Sequence, residues 1–305
     1  MKGHSFLSIS DMTADEIHSL IYAAVKSKQQ PWSTVCERKT LAILFEKPSM
    51  RTRVSFEMAM RQLGGQTIYL SQAEVGLGSR ESIPDVARVM SRFVDVLAVR
   101  TFAHSIVEEL AEYAGVPVIN ALTDYEHPCQ TLADFITIYE KKQTLKGLTL
   151  AYIGDGNNVA NSLILGAAIV GMNFTIAAPE GYSIQPDVLE KARRFAGATC
   201  AKFLLTTSPE EAVKGADIVY TDVWASMGQE GEAEKRKQIF AGYQVNARLM
   251  SLADSKAVFM HDLPAHRGEE VTADVMESPQ SVIFDQAENR LHAQRELIAH
   301  IFGKR

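Results

Sequence analysis

Ser49, Met50, Arg51, Thr52 and Arg53 bring two hydroxyls and two guanidinium groups into five consecutive positions. An apolar run at 40–45 precedes them, and apolar residues at helical spacing follow to about residue 63. That order predicts a strand, a turn and a helix, with the run at the helix N-terminus. Free backbone N–H groups and the positive end of the helix dipole gather anions there. Ser49 could act only as an N-cap, with both arginines solvated. Cations are disfavoured at that end of a helix, so two arginines there point to a bound anion. Guanidinium donors fit phosphate or carboxylate.

A second strand-to-helix turn is predicted at Gly154-Asp155-Gly156-Asn157-Asn158-Val159. It suggests a dinucleotide fingerprint, with Glu180 placed as a ribose ligand, but Val159 occupies the third glycine position. Asn157 and Asn158 also crowd the path of a pyrophosphate. A tight turn, or an asparagine amide reaching a substrate polar group, competes with nucleotide binding, which ranks last. His127 precedes Pro128, a residue suited to the first helical position. A histidine there is commonly a cap or core residue, yet the helix dipole favours a neutral ring that donates one N–H. A thiol at Cys129 would have its thiolate favoured at the same terminus.

Alternating strands and helices must position these groups. Strands are expected at 40–45, 67–70, 94–100 and 116–120, then at 148–153, 174–178, 202–205, 217–221 and 257–260. Helices are expected from about 11 to 28, 52–63, from 82, 105–114, 128–141, 159–170 and 286–302. Residues 71–81 are expected to form a loop. Such alternation implies an α/β fold with parallel sheets covered on both faces. The expected architecture is two doubly wound parallel-sheet domains joined by long helices. Residues 1–135 would form the first domain, with a C-terminal helix at 286–305 packing back on it, and 147–285 the second.

The chain's 305 residues suit two domains, and 46% hydrophobic with 22% charged residues is ordinary globular composition. A net charge of −6 gives no general attraction to nucleic acid or anionic membrane, so any anion site is local. No apolar run approaches a membrane span, and the N-terminal segment lacks a signal-peptide core. The three scattered cysteines, Cys36, Cys129 and Cys200, suit reduced thiols in a cytoplasm better than disulfides or a zinc site.

Six segments in order resemble the aspartate/ornithine carbamoyltransferase family, nearest its ornithine branch. They are residues 49–53, Val99-Arg100-Thr101, His127-Pro128-Cys129-Gln130, 222–228, 261–268 and 285–290. The resemblance spans nearly the whole chain. It implies transfer of the carbamoyl group of carbamoyl phosphate to the δ-amine of L-ornithine, without metal or organic cofactor, by a cytoplasmic homotrimer or multiple of trimers. Nucleic acid and membrane have no part in it. Ser49, Met50, Arg51 and Thr52 would bind phosphate, and Arg100, with Thr52 and His127, would polarise the carbonyl. Gln130 would meet the carbamoyl amide, and Arg290 would complete the catalytic set. Arg53 would pair with a carboxylate instead, and Cys129 would fill space. Asn158 would meet the ornithine carboxylate and Asp222 its α-ammonium, with Ser226 and Met227 closing over it. A loop cap is the plainer reading of 222–228. Backbone carbonyls near Asp262 and Leu263 would orient the amine.

Two departures stand out. Asp262 replaces the cysteine usual in the ornithine branch. A carboxylate there would favour the charged amine, or else take its proton, so the pH profile should change. Gly76 falls where relatives place a polar side chain that reaches a neighbouring subunit, leaving Ser79 or Arg80 to substitute. The alternatives are a carbamoyltransferase for another amine, a weakly catalytic carbamoyl-phosphate-binding protein, and, last, a nicotinamide oxidoreductase.

Overall fold

The computed structural model describes residues 3–78, 80–225 and 230–303. Two compact units emerge, Met1–Ile136 with Glu288–Arg305, and Thr137–Ala287. The unit boundaries fall inside two helices, Pro128–Lys142 and Ile283–Ile301.

The first unit holds β1 (Thr40–Phe45), β2 (Gln66–Ser71), β3 (Val96–Arg100) and β4 (Val118–Leu122), ordered β2-β1-β3-β4 with all pairs parallel. The second holds β5 (Thr149–Ile153), β6 (Asn173–Ala177), β7 (Phe203–Thr206), β8 (Ile218–Thr221) and β9 (Val258–Met260), ordered β7-β6-β5-β8-β9, again parallel. Continuous apolar runs explain these strands. In β1 every residue after Thr40 is buried, as expected of a central strand flanked on both sides. Strand order reverses between β1 and β3 and between β5 and β8. Open α/β sheets bind ligands at the carboxyl ends of strands at such reversals. The 49–53 run follows β1, Arg100 ends β3, the glycine turn follows β5 and Asp222 follows β8.

The two-sheet α/β fold agrees with the sequence reading. Local differences have local causes. The segment after β2 is not wholly loop. Gln72–Val75 makes one helical turn because the Glu74 carboxylate accepts from both the N–H and the hydroxyl of Ser71. A helix at Pro186–Thr199, unassigned in the sequence, starts with Pro at its first position and ends at Cys200 in the left-handed conformation. The first long helix, Ala14–Ser27, starts at Thr13, whose hydroxyl accepts from the Glu16 N–H while Glu16 accepts from Thr13. Among the described residues no helix is long and apolar enough to cross a membrane.

Candidate active site

In the first unit the helix Met50–Gln62 begins at Ser49, whose Oγ accepts from the Thr52 N–H at 3.3 Å. The Ser49 hydroxyl donates onward to Thr52 Oγ1 at 3.0 Å. Arg100 Nη1 reaches the same oxygen at 3.5 Å, and Arg290 Nη2, from the C-terminal helix, also donates to it. Thr52 is fully buried, and Arg100 and Arg290 are almost so. Two guanidinium groups converge on one neutral hydroxyl, a set of donors whose geometry also suits an anion. Arg51 Nε is buried with no hydrogen-bond partner among the described residues. Met50 exposes its side chain, so its contribution to such a site is its backbone N–H. Arg53 is different. Its Nε pairs with Glu57 at 2.8 Å and its guanidinium lies 3.8 Å from the centre of the Tyr69 ring.

His127 is buried immediately before the helix Pro128–Lys142. One turn in, the Gln130 Nε2 donates to Asp134 Oδ1 at 2.8 Å, while Gln130 Oε1 is buried without a partner among the described residues. That bond fixes the amide with its oxygen free to accept an N–H. The sequence reading left the polarity of Gln130 open and missed Asp134; the i,i+4 spacing was its signal. Cys129 is buried, and desolvation, only partly offset by Arg290, pushes its thiol up to about 12. Its Sγ donates to the Asn120 carbonyl at 3.4 Å. A thiol so protonated is a filler rather than a nucleophile.

In the second unit the turn after β5 is shaped by close approach. A Cβ on Gly156 would sit 2.4 Å from the Ser183 carbonyl carbon. Asn157 caps the helix Asn158–Val170, accepting from the Val159 and Ala160 N–H groups at 3.0 and 3.1 Å. Its Nδ2 donates to Asp222 Oδ2 at 2.7 Å. Asn157 therefore both caps the helix and aims the carboxylate. The sequence reading singled out the adjacent Asn158, which is half-buried and whose Oδ1 accepts from the Val159 N–H at 3.0 Å.

Asp222, His261 and Asp262 present ligand-type atoms within 4.8 Å of one another. Burial raises the Asp222 carboxyl well above its ordinary range, and the Asp262 charge adds to this. Burial works against a charged His261, but hydrogen bonding to Asp262 and Glu270 outweighs it and raises the ring to about 9. The Leu263 N–H nevertheless donates to His261 Nδ1 at 2.9 Å, which needs the lone pair of a neutral ring. That amide hydrogen is fixed by the backbone and cannot turn away. With Nδ1 accepting that amide, the His261 ring can donate only through Nε2, which faces Glu270 Oε1 at 3.3 Å. Leu263 itself has φ of 61° and a cis bond to Pro264, and the His261 N–H is held by Gln286 Oε1 at 2.9 Å.

The start of the 222–228 segment is held by Arg236, which sequence reasoning also missed. Its Nη1 donates to Asp155 Oδ2 at 2.6 Å and to the Trp224 carbonyl at 2.8 Å. Ser226 and Met227, and Ser79 in the earlier loop, lie outside the described residues. Gly76 adopts φ of 56°, and Arg80 Nη1 reaches the Glu74 carbonyl at 3.4 Å.

Comparison with known proteins matches residues 4–140 to the model "Aspartate/ornithine carbamoyltransferase, carbamoyl-P binding domain" and residues 146–301 to the "Asp/Orn binding domain" of the same family. The chain belongs to the aspartate/ornithine carbamoyltransferase family. An ornithine carbamoyltransferase of Anoxybacillus flavithermus is 52% identical over 305 residues, covering 99% of this chain and 97% of that one. The solved ornithine carbamoyltransferase of Pyrococcus furiosus superposes with a TM-score of 0.96 at 50% identity, covering 100% of this chain and 98% of that one. The anabolic ornithine carbamoyltransferase of Campylobacter jejuni gives 0.94 at 39% identity, with full coverage of both. In this carbamoyltransferase the turn is a helix cap that carries Asn157 to Asp222.

Proposed function

We propose that this protein transfers the carbamoyl group of carbamoyl phosphate to the δ-amine of L-ornithine, giving L-citrulline and phosphate. The observation that carries this reading is the convergence of Ser49, Arg100 and Arg290 on Thr52 Oγ1. The phosphate dianion takes the place of that neutral acceptor, with Arg51 and the N–H groups of Met50 and its neighbours completing its shell. Arg100, Thr52 and His127 donate to the carbonyl oxygen as it gains charge. Gln130 Oε1 accepts from the carbamoyl nitrogen. The amine site lies in the second unit. Asp222 pairs with the α-ammonium and Asn158 meets the α-carboxylate; for Ser226 and Met227 only the resemblance supports a role, that of closing over the ornithine. The Leu263 region orients the δ-amine.

The neutral δ-amine attacks the carbonyl carbon. The new C–N bond forms and the bond from carbon to the phosphate oxygen breaks. The nitrogen sheds one proton, and Asp262 is this chain's own acceptor for it. The anabolic ornithine carbamoyltransferases among its relatives support a role in arginine biosynthesis, and the family resemblance supports a cytoplasmic homotrimer. A second reading rests on Asp262, since two carboxyls in the amine site suit a more cationic acceptor than ornithine. Colorimetric assay of ureido product with carbamoyl phosphate and a panel of amines decides. Citrulline as the dominant product supports ornithine, and faster turnover of another diamine transfers the assignment to that acceptor. No ureido product from any amine overturns both readings.

A further inference from the structure

Outside the amine site, the turn His266–Glu270 gathers a second cluster. His266, Glu269 and Glu270 offer ligand atoms within 4.8 Å of one another. His266 Nδ1 lies 3.9 Å from Glu269 Oε2 and 3.9 Å from Glu270 Oε2. These separations are too long for hydrogen bonds. They are a little under twice the roughly 2.0–2.2 Å length of a bond from zinc to nitrogen or oxygen. The gap is therefore sized for an ion, with slight closure of the exposed histidine bringing three ligands to a tetrahedral arrangement.

The fully buried Glu270 supplies an independent observation. Its Oε1 accepts from the His266 N–H and faces His261 Nε2 at 3.3 Å, but Oε2 is buried with no hydrogen-bond partner among the described residues. A buried carboxylate oxygen left bare is costly unless a cation meets it. The turn holds the geometry. The Glu269 N–H donates to the His266 carbonyl at 2.9 Å, the Gly268 N–H to the Val271 carbonyl at 2.8 Å, and Gln244 Nε2 to the Gly268 and Glu269 carbonyls at 2.9 Å each. Lys237 Nζ engages Glu269 through Oε1, at 3.0 Å, which leaves Oε2 for a ligand role. The nearby Arg267 is occupied by Glu277 at 2.7 Å.

We propose that His266 Nδ1, Glu269 Oε2 and Glu270 Oε2 form a binding site for one divalent first-row transition metal of the zinc class, with water at the open position. Imidazole with two carboxylates suits zinc, cobalt or nickel better than calcium or magnesium. Its three ligands are distinct from Asp222, His261 and Asp262, and Glu270 meets His261 only through its other oxygen, Oε1.

The test is titration of untagged, metal-free protein with Zn2+ by calorimetry, and with Co2+ by visible absorption, whose intensity reports a tetrahedral N/O site. One ion per chain is expected. His266→Ala and Glu269→Gln should each weaken binding on the order of 100-fold, since each removes a ligand. Lys237→Gln should tighten it by freeing Glu269 from a competing cation. Asp262→Asn should leave it unchanged. Binding that survives His266→Ala, or that is lost in Asp262→Asn, places the ion elsewhere and overturns the site. So does the absence of a bound ion in the wild type.

Discussion

Asp262→Cys is the most informative single change, because it restores the family's usual residue beside a carboxylate that must be ionised to bind an α-ammonium. Asp222 and Asp262 lie within 4.8 Å of each other through their oxygens. At that separation one charge costs the other about 0.9 kcal/mol with bulk-water screening and about 3.5 kcal/mol at an effective dielectric of ~20. Removing the Asp262 charge should therefore lower the Asp222 pKa, since that charge is one of the causes that raise it. The sign follows from the protonated form. Burial and Asp262 both raise Asp222, so as pH falls it is protonated early and the ammonium loses its partner. Ornithine binding in the wild type should therefore weaken on the acid side at a higher pH than in the variant. The measurement is the ornithine dissociation constant against pH, by calorimetry with the donor site filled by a carbamoyl phosphate analogue. Binding separates this electrostatic effect from any loss of Asp262 as proton acceptor, which falls on kcat. An acid limb that stays within ~0.2 pH units of wild type, in a variant with unchanged Tm, refutes the argument.

Asp222→Asn should abolish ornithine binding yet raise Tm at neutral pH. A carboxyl whose folded pKa is raised binds its proton more tightly when folded, so its contribution declines as pH climbs above the unfolded carboxylate range, and the amide escapes that penalty. Thr52→Val removes the hydroxyl on which Ser49, Arg100 and Arg290 converge, and should lower kcat/KM by on the order of 10²–10³, read in the citrulline assay. Arg236→Met strands the Asp155 carboxylate and should cost about 3–5 kcal/mol by chemical denaturation; pairing it with Asp155→Asn should recover most of that. Maleimide labelling of native protein at pH 8 should modify Cys200 and spare Cys36 and Cys129, since only Cys200 is exposed, and quantitative labelling of Cys129 would contradict its burial.

The sequence by itself determined the two parallel sheets and the family to which they belong. Apolar runs such as 40–45 and 149–153 can be covered on both faces only inside a parallel sheet, and the residues just past them must lie at its carboxyl edge. Two arginines at a helix N-terminus point to an anion site because a local electrostatic rule is broken there. Pairings set by distant chain segments were left to the tertiary structure. Arg290 reaches the hydroxyl of Thr52 from 238 residues away, and nothing in the spacing of either segment specifies that contact. Asn157 donates to Asp222 because its cap geometry, not its residue type, turns its amide toward the end of β8. The protonation of Asp222 likewise depends on burial and on a carboxylate forty positions on. Local sequence sets propensity and pattern over a few residues. Desolvation and charge pairing act through space, so the state of each buried group was fixed only when the chain closed around it.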